Sequence, residues 1–326
     1  MTTLHRRTLL AAALATPALH AAQAQAPWPT RPVTLVNPWA PGGSSDTMAR
    51  LFAQRFTEMF GQNVVVENRA GASGTIGHNF VAQQRPDGYA LLFATNSTYA
   101  IAPYLISPLP YDNRAAFTGI SLVARTAQAV CVHPSVPVTT IQEFLAYVRA
   151  RPGEVNFSSA GIGATSHLAT ELLMAAAGID MVHVPYRGGA PSAQAVLAGE
   201  TKMSFIDAVT ALPHRQAGML KMLAVSTAER TPLAPDVPTL QEAGLVGFES
   251  STDMALMAPA HLPAPIATRL SEAVRTALAD PAFRERIIAL GAVPVGGTPA
   301  EFDTYWTAES EKWGNLIRSR HIVQPT

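Results

Sequence analysis

Short β-branched or apolar runs alternate along this chain with stretches whose apolar residues recur every three or four positions. The first repeat of that alternation is representative. Val33 to Asn37 reads as a strand, a Pro-Gly-Gly bend follows, and Met48, Leu51, Phe52, Phe56 and Met59 fall on one face of a helix that Gly61 ends. Val64 to Glu67 reads as a second strand. Further strands are predicted at ALLFAT, AVCVHP, VNFSS, MVHVPY, MSFID and MLAVS, with segments of helical length between them. Strands spaced by helices give an α/β fold whose sheets are mainly parallel and flanked by helices. Thr140 with Glu143, and Thr298 with Pro299 and Glu301, predict capping boxes, and Asp280-Pro281 predicts another helix start.

Two segments read as passages between domains. GISLVARTAQ leaves the first block of strands, and FESSTDMALMAPAHLPAP enters a final, mainly helical block from Ala264 onward. If the two run side by side, the middle of the chain is an inserted domain. The expected organisation is a lobe of residues 27–125 plus 251–326, an inserted lobe of residues 126–250, and a cleft between them where strand ends and helix starts converge. RTPLAPDVPT reads as a surface loop.

Candidate chemistry sits in the bends that follow strands. In WAPGGSSDTMAR, Gly42 and Gly43 let the backbone turn sharply, and the first N–H groups of the helix point beyond the bend. Carboxylate or phosphate oxygens suit such a position. The plainer reading is a tight turn in which Ser44 or Ser45 caps the helix and Asp46 favours its dipole. VNFSSAGIGATSHLATELL repeats the design with Ser159, Ala160, Gly161, Gly163 and Thr165. It mimics a dinucleotide fingerprint, but Asp180 precedes the next strand instead of ending it. PYRGGAPSA places Tyr186, Arg187, Gly188 and Gly189 after a third strand, with a solvated charge as the alternative reading of Arg187. FATNSTYAIAP ends a strand with Thr95, Asn96, Ser97 and Thr98, and SFID puts Asp207 at another strand end.

Composition narrows the function. The 326 residues suffice for two lobes with their own cores. Basic and acidic residues balance at 23 each, so no basic excess points to nucleic acid. A single cysteine, Cys131, excludes a disulfide framework and a multi-thiolate zinc site, and it reads as a small core hydrophobe. There is no G-x-S-x-G elbow, P-loop or H-E-x-x-H, and the histidines lack metal-ligand spacing. No local spacing places a serine beside a histidine base. Neither catalytic nor metal residues are expected, and no cofactor is implied. Residues 1–26 read as an export signal: Arg6-Arg7 precede an apolar stretch too short to span a bilayer, and small residues lie at Ala24 and Ala26. The arginine pair suggests the twin-arginine route, with Sec export as the alternative. The mature chain is expected to act in the periplasm.

PWPTRPVTLVNPWAPGGSSDTMAR, VVVENRAGASGTIG, PDGYALLFAT, SSAGIGATSHLATELL, VHVPYRGGAPSAQAVLAGE and DVPTLQEAG together resemble the tripartite tricarboxylate transporter substrate receptors, the Bug family. The resemblance runs through the mature chain in the family's order. It implies a type II two-lobed periplasmic-binding-protein fold that captures a small carboxylate and delivers it to a membrane permease. It also implies binding largely through backbone N–H groups, hydroxyls and bridging waters. The residues it marks are Gly42, Gly43 and Ser44 in the first bend, Ser159, Ala160, Gly161 and Thr165 in the second, Thr95 and Asn96, and Asp207. Ala208 departs from the Asp-Asn pair of many relatives, which leaves ligand preference open among dicarboxylates, citrate-like acids, acidic amino acids and aromatic acids. A monomer is expected. The competing readings are a sensory module with the same cleft and a periplasmic Ser/His hydrolase.

Overall fold

The computed structural model describes residues 28–322, and the export signal expected at 1–26 lies outside them. Val33–Asn37 (β1) leads through the glycine bend into Ser44–Phe60 (α1), and Val64–Asn68 (β2) follows. Gly61 ends α1 as expected. It takes a φ of 65° and returns its N–H to the Thr57 carbonyl, a left-handed turn that glycine adopts without a Cβ clash. Thr75–Ala82 (α2) and Ala90–Thr95 (β3) come next, and β3 runs into a π-helical turn, Ser97–Ile101, and the short helix Ala102–Leu105 (α3). The long strand Phe117–Val132 (β4) joins GISLVARTAQ and AVCVHP, which the apolar pattern had separated, into one element.

The middle of the chain forms Ile141–Arg149 (α4), Asn156–Ser159 (β5), Thr165–Ala177 (α5), Val182–Pro185 (β6), Gly189–Leu197 (α6), Met203–Asp207 (β7), Ala208–Gln216 (α7) and Lys221–Val225 (β8). Ser251–Pro259 (β9), Ala264–Ala279 (α8), Pro281–Ala289 (α9), Ala292–Pro294 (β10) and Pro299–Ser319 (α10) complete it. The strand order is β2-β1-β3-β9-β4-β7-β5-β6, with β10 and β8 also paired to β4. β2, β1 and β3 run parallel, as do β6, β5 and β7. Where β9, β4, β8 and β10 join, pairing is antiparallel, so the sheet is mixed. The reason is geometric: a strand that leaves one lobe must be answered by one that returns.

β4 belongs to both lobes. From Phe117 opposite Pro259 to Ala127 opposite Ser251 it pairs with β9, and from Gln128 to Val132 it pairs with β7. Each lobe is a sheet between two apolar layers. In the first, Leu35, Phe52, Phe93, Leu256 and Val274 pack beneath α1 and α8, while Val36, Leu92, Met257, Phe302 and Trp306 pack beneath α10. In the second, Val130, Val132, Phe144, Phe157 and Leu173 face α4 and α5, and Ala129, Cys131, Val196 and Ala211 face α6 and α7. Alternation along β4 divides those layers. The capping boxes of α4 and α10 form, and Asp280 accepts the Ala282 N–H at the start of α9. RTPLAPDVPT is only partly superficial, because Ala234 and Val237 sink into the second lobe's core.

Candidate functional site

Four helices begin around the junction of the lobes, and none has a side-chain cap. Gly43, Ala164, Gly188 and Asp207 stand at the caps of α1, α5, α6 and α7 without a capping hydrogen bond. By contrast, α4, α9 and α10 are capped by their own side chains. Polar side chains that could cap are used otherwise. Ser44 donates to Asp207 of the other lobe, and Ser45 donates to Asn37 Oδ1, so the predicted serine cap of α1 does not form. The Asp207 carboxylate also accepts from Thr252 Oγ1 at 2.8 Å. The Thr165 N–H donates across the lobes to Ser97 Oγ at 2.9 Å. Uncapped N–H groups and the positive ends of helix dipoles thus face one place, as an anion requires.

That place is a cavity of about 60 Å³. Of the residues expected from sequence, Gly43, Ser44, Thr95, Ala160, Thr165 and Asp207 line it. Others from the same bends do not. The Gly42 N–H donates to Asp46 at 3.0 Å. Asn96 is buried, and its amide donates to the Ser251 carbonyl at 3.0 Å and to Asp253 at 3.1 Å, which ties the end of β3 to β9. Tyr186 donates to Glu200 at the surface, and Arg187 is exposed, which matches the solvated-charge reading.

Gly161, Gly163 and Gly188 lie outside the lining because they let backbone approach protein. A Cβ on Gly163 would stand 2.9 Å from Leu105 Cδ1 in the other lobe, and one on Gly188 would stand 3.3 Å from the Ala40 methyl. A Cβ on Gly161 would meet Ser73 Oγ at 3.2 Å. Ser159 is turned into its own bend, where its hydroxyl accepts the Gly161 N–H at 3.1 Å.

Sequence reasoning missed Trp39, Gln128, Ser192, Thr210 and Thr252, and it left Ser97 unassigned; all line the cavity. Trp39 Nε1 donates to Thr95 Oγ1 at 3.0 Å. Gln128 and Thr252 stand on the crossover strands; Gln128, a polar side chain before the apolar run AVCV, offered a signal, whereas Thr252 lies in the polar stretch SSTD and offered none. On the opposite face of those strands, Arg125 Nε lies 3.1 Å from Asp253 Oδ1, and Tyr305 donates to the same carboxylate.

The lining carries no arginine, lysine or histidine, and its one ionisable side chain is Asp207. Burial pushes that carboxyl up to about 6, against hydrogen bonds from Ser44, Thr252 and Gln128 that pull it down, and the Asp253 charge adds to the rise. Among the described residues no cluster could hold a metal ion, and no helix is long and apolar enough to cross a membrane. Two serine–histidine contacts occur among the described residues: His133 Nδ1 and Ser135 Oγ are 2.7 Å apart in an exposed turn, and Ser159 Oγ and His183 Nε2 are 2.6 Å apart, with His183 stacked on His167 at 4.0 Å between ring centres. Local spacing could not show the second pair, because β5 and β6 bring it together. Ser159 is fully buried and outside the cavity lining.

The sequence model of the tripartite tricarboxylate transporter family receptor matches residues 48–322. Protein BugT of Bordetella pertussis is 33% identical over 292 residues, covering 89% of this chain and 90% of BugT. The structure of R. palustris Rpa4515 with adipate superposes with a TM-score of 0.89 at 34% identity, covering 91% of this chain and 100% of that one. MatC from Rhodopseudomonas palustris with bound malate gives 0.83 at 32% identity, covering 89% and 99%. With the two-lobed α/β fold and a polar cavity at the lobe junction, these likenesses establish that the chain belongs to the tripartite tricarboxylate transporter receptors, the Bug-type periplasmic binding proteins.

Proposed function

We propose that this protein captures a small carboxylate in the periplasm and delivers it to a tripartite tricarboxylate-type membrane permease. In this reading residues 27–125 plus 251–326 and residues 126–250 are the two moving lobes, with β4 and β9 as the hinge. The observation that carries it is a single cavity lined by hydroxyls and helix starts from both lobes and by no cationic side chain. Backbone amides and hydroxyls can hold a carboxylate without a buried arginine. Because the donors come from both sides, they act together only when the lobes are closed, so ligand favours closure. Adipate and malate in the two related structures make dicarboxylates the first candidates here.

The test is thermal unfolding of the mature protein with adipate, malate, citrate, acidic amino acids and aromatic acids. A true ligand at 100 times its Kd adds about 2.7 kcal/mol, a rise of a few degrees in Tm. A panel in which no acid raises Tm refutes the reading. Crosslinking in membranes then identifies the partner: permease subunits support delivery, whereas a histidine kinase in their place makes the protein a sensor. Turnover of ester and amide panels would instead favour a hydrolase. Size-exclusion chromatography is expected to give a monomer, and cell fractionation to place the mature chain in the periplasm, cleaved near Ala26.

A further inference from the structure

Asp207 has the sign opposite to what an anion site needs, and no cationic side chain lines the cavity to pair with it. Its carboxylate accepts from Ser44 at the start of α1 and from Thr252 on β9, both neutral donors. Cations on the surrounding elements are matched by carboxylates of their own. On α1, Arg50 pairs with Asp46; on the crossover strands, Arg125 pairs with Asp253; on α7, Arg215 pairs with Asp236. His214, also in the last turn of α7, stands one turn beyond Thr210 and is not among the residues that line the cavity. On α5, His167 faces Glu171, and Cys131 of β4 is a buried thiol kept neutral by burial. A cavity of about 60 Å³ gives a bound carboxylate little distance from Asp207. Two carboxylates confined in this way share one proton, because both cannot ionise without strong repulsion.

Resting on the carboxylate reading above, we propose that capture of a dicarboxylate takes up one proton from solvent, held between Asp207 and the ligand. Protonated Asp207 donates its O–H to a ligand oxygen, and the acid that looked repulsive becomes a donor. The free carboxyl, at about 6, is largely ionised at neutral pH, so the proton is acquired on binding. Affinity therefore weakens about tenfold for each pH unit above about 6.5, where the ligands' own carboxyl groups are ionised. A dianion needs that proton, whereas an acidic amino acid, whose ammonium would pair with ionised Asp207, needs none.

The experiment is titration calorimetry of the intact mature protein with adipate and with malate, at about pH 6.5 to 8.5, in buffers of differing ionisation enthalpy. About one proton taken up per ligand at pH 7.5, and a Kd roughly tenfold weaker at pH 8.5, are expected. Asp207→Asn keeps the shape and supplies a neutral donor. It is expected to bind with pH-independent affinity and buffer-independent heat, which a purely structural role for Asp207 would not produce. Proton-free, pH-flat binding by the unaltered protein overturns the inference and leaves the receptor reading standing, as does Asp207→Asn that keeps the tenfold slope. Proton-free binding of aspartate or glutamate, with adipate and malate inert, overturns it likewise. If no carboxylate binds either protein at any pH, the receptor reading fails and the inference falls with it.

Discussion

Gly43→Asp separates binding from folding more cleanly than any other change at the site. Gly43 lines the cavity at the cap of α1, with φ −80° and ψ 173°, a conformation open to any L-residue. An added Cβ meets nothing nearer than the Ala40 carbonyl at 3.9 Å and the Ala190 nitrogen at 4.0 Å. Aspartate is also among the best residues for a helix cap, and α1 has no side-chain cap to lose, so stability should change by less than about 1 kcal/mol. The new carboxylate enters the space where a ligand carboxylate belongs. Two unit charges about 5 Å apart at an effective dielectric of about 20 repel by about 3 kcal/mol, or roughly 200-fold in Kd. Gly43→Ala, whose methyl fits, is expected to stay within about fivefold of the unaltered protein. Calorimetry with the acid that gives the largest Tm rise reads the affinity, and urea unfolding reads the fold. Gly43→Asp binding as tightly as the unaltered protein would refute the placement of the ligand at this bend. Gly163→Asp is a poorer probe: φ is 78° and a Cβ would lie 2.9 Å from Leu105, so it disturbs the lobe contact first.

Asp253→Ala strands Arg125 beside a buried network and is expected to cost about 3 kcal/mol, the low end for a broken pair because Arg125 keeps contact with water; an unchanged urea midpoint would contradict this. His78 is fully buried and its pKa is pushed down to about 3, by burial against one hydrogen bond with the Gly74 carbonyl. Its native form is therefore neutral while the unfolded chain takes a proton near 6.5. Stability is complete above that pH and falls by about 1.4 kcal/mol per unit as pH drops from 6 toward 3. His78→Gln should lose about 2 kcal/mol less than the unaltered protein between pH 7 and 5, and equal losses would discount the residue. Ser97→Ala removes the acceptor of the Thr165 N–H across the lobes. The expected cost is about 1 kcal/mol of closure, or roughly fivefold in affinity with little change in urea midpoint; an effect on the midpoint alone would place this bond within one lobe's stability.

The fold was legible in the sequence wherever local physics decides it. Gly61 ended α1 because a left-handed residue is needed there, Thr140 and Thr298 marked their helices through capping boxes, and Cys131 packed as a hydrophobe. The crossovers were located, but their pairing was not. Continuity of β4 depends on partners more than a hundred residues away, Phe117 with Pro259 and Ala127 with Ser251, and no periodicity within the strand reports them. The site was legible to the same depth. Glycine bends after strands pointed to the corner of the fold where the cavity lies, yet a glycine that faces the cavity and one that lets the other lobe approach look identical in sequence. Gly43 lines the cavity, whereas Gly163 and Gly188 lie against the other lobe. Ser159 and His183 show the converse, a contact made by strand pairing with no trace in local spacing.

The crossover strands do two jobs, and that joins ligand capture to closure. Alternation on β4 and β9 sends Gln128 and Thr252 to the cavity and Arg125 and Asp253 to the opposite face, so the strands proposed above as the hinge also form the floor of the cavity. Across the front, Leu168 shares an apolar cluster with Ile101 and Leu105 of the other lobe, and the lobes also meet through hydrogen bonds: Ser44 to Asp207, Thr165 N–H to Ser97, and Ser73 to the Ile162 carbonyl. Each exchanges with water on opening, at a net value of about 1 kcal/mol, against the entropy recovered when the lobes part. In the receptor reading proposed above, such opposing terms set the balance between open and closed forms. A ligand that bonds to both lobes shifts the balance by its differential affinity for the closed form, and a few kcal/mol suffices. In that reading, water-exchangeable contacts across the front let the cavity convert capture of a small acid into a change of shape.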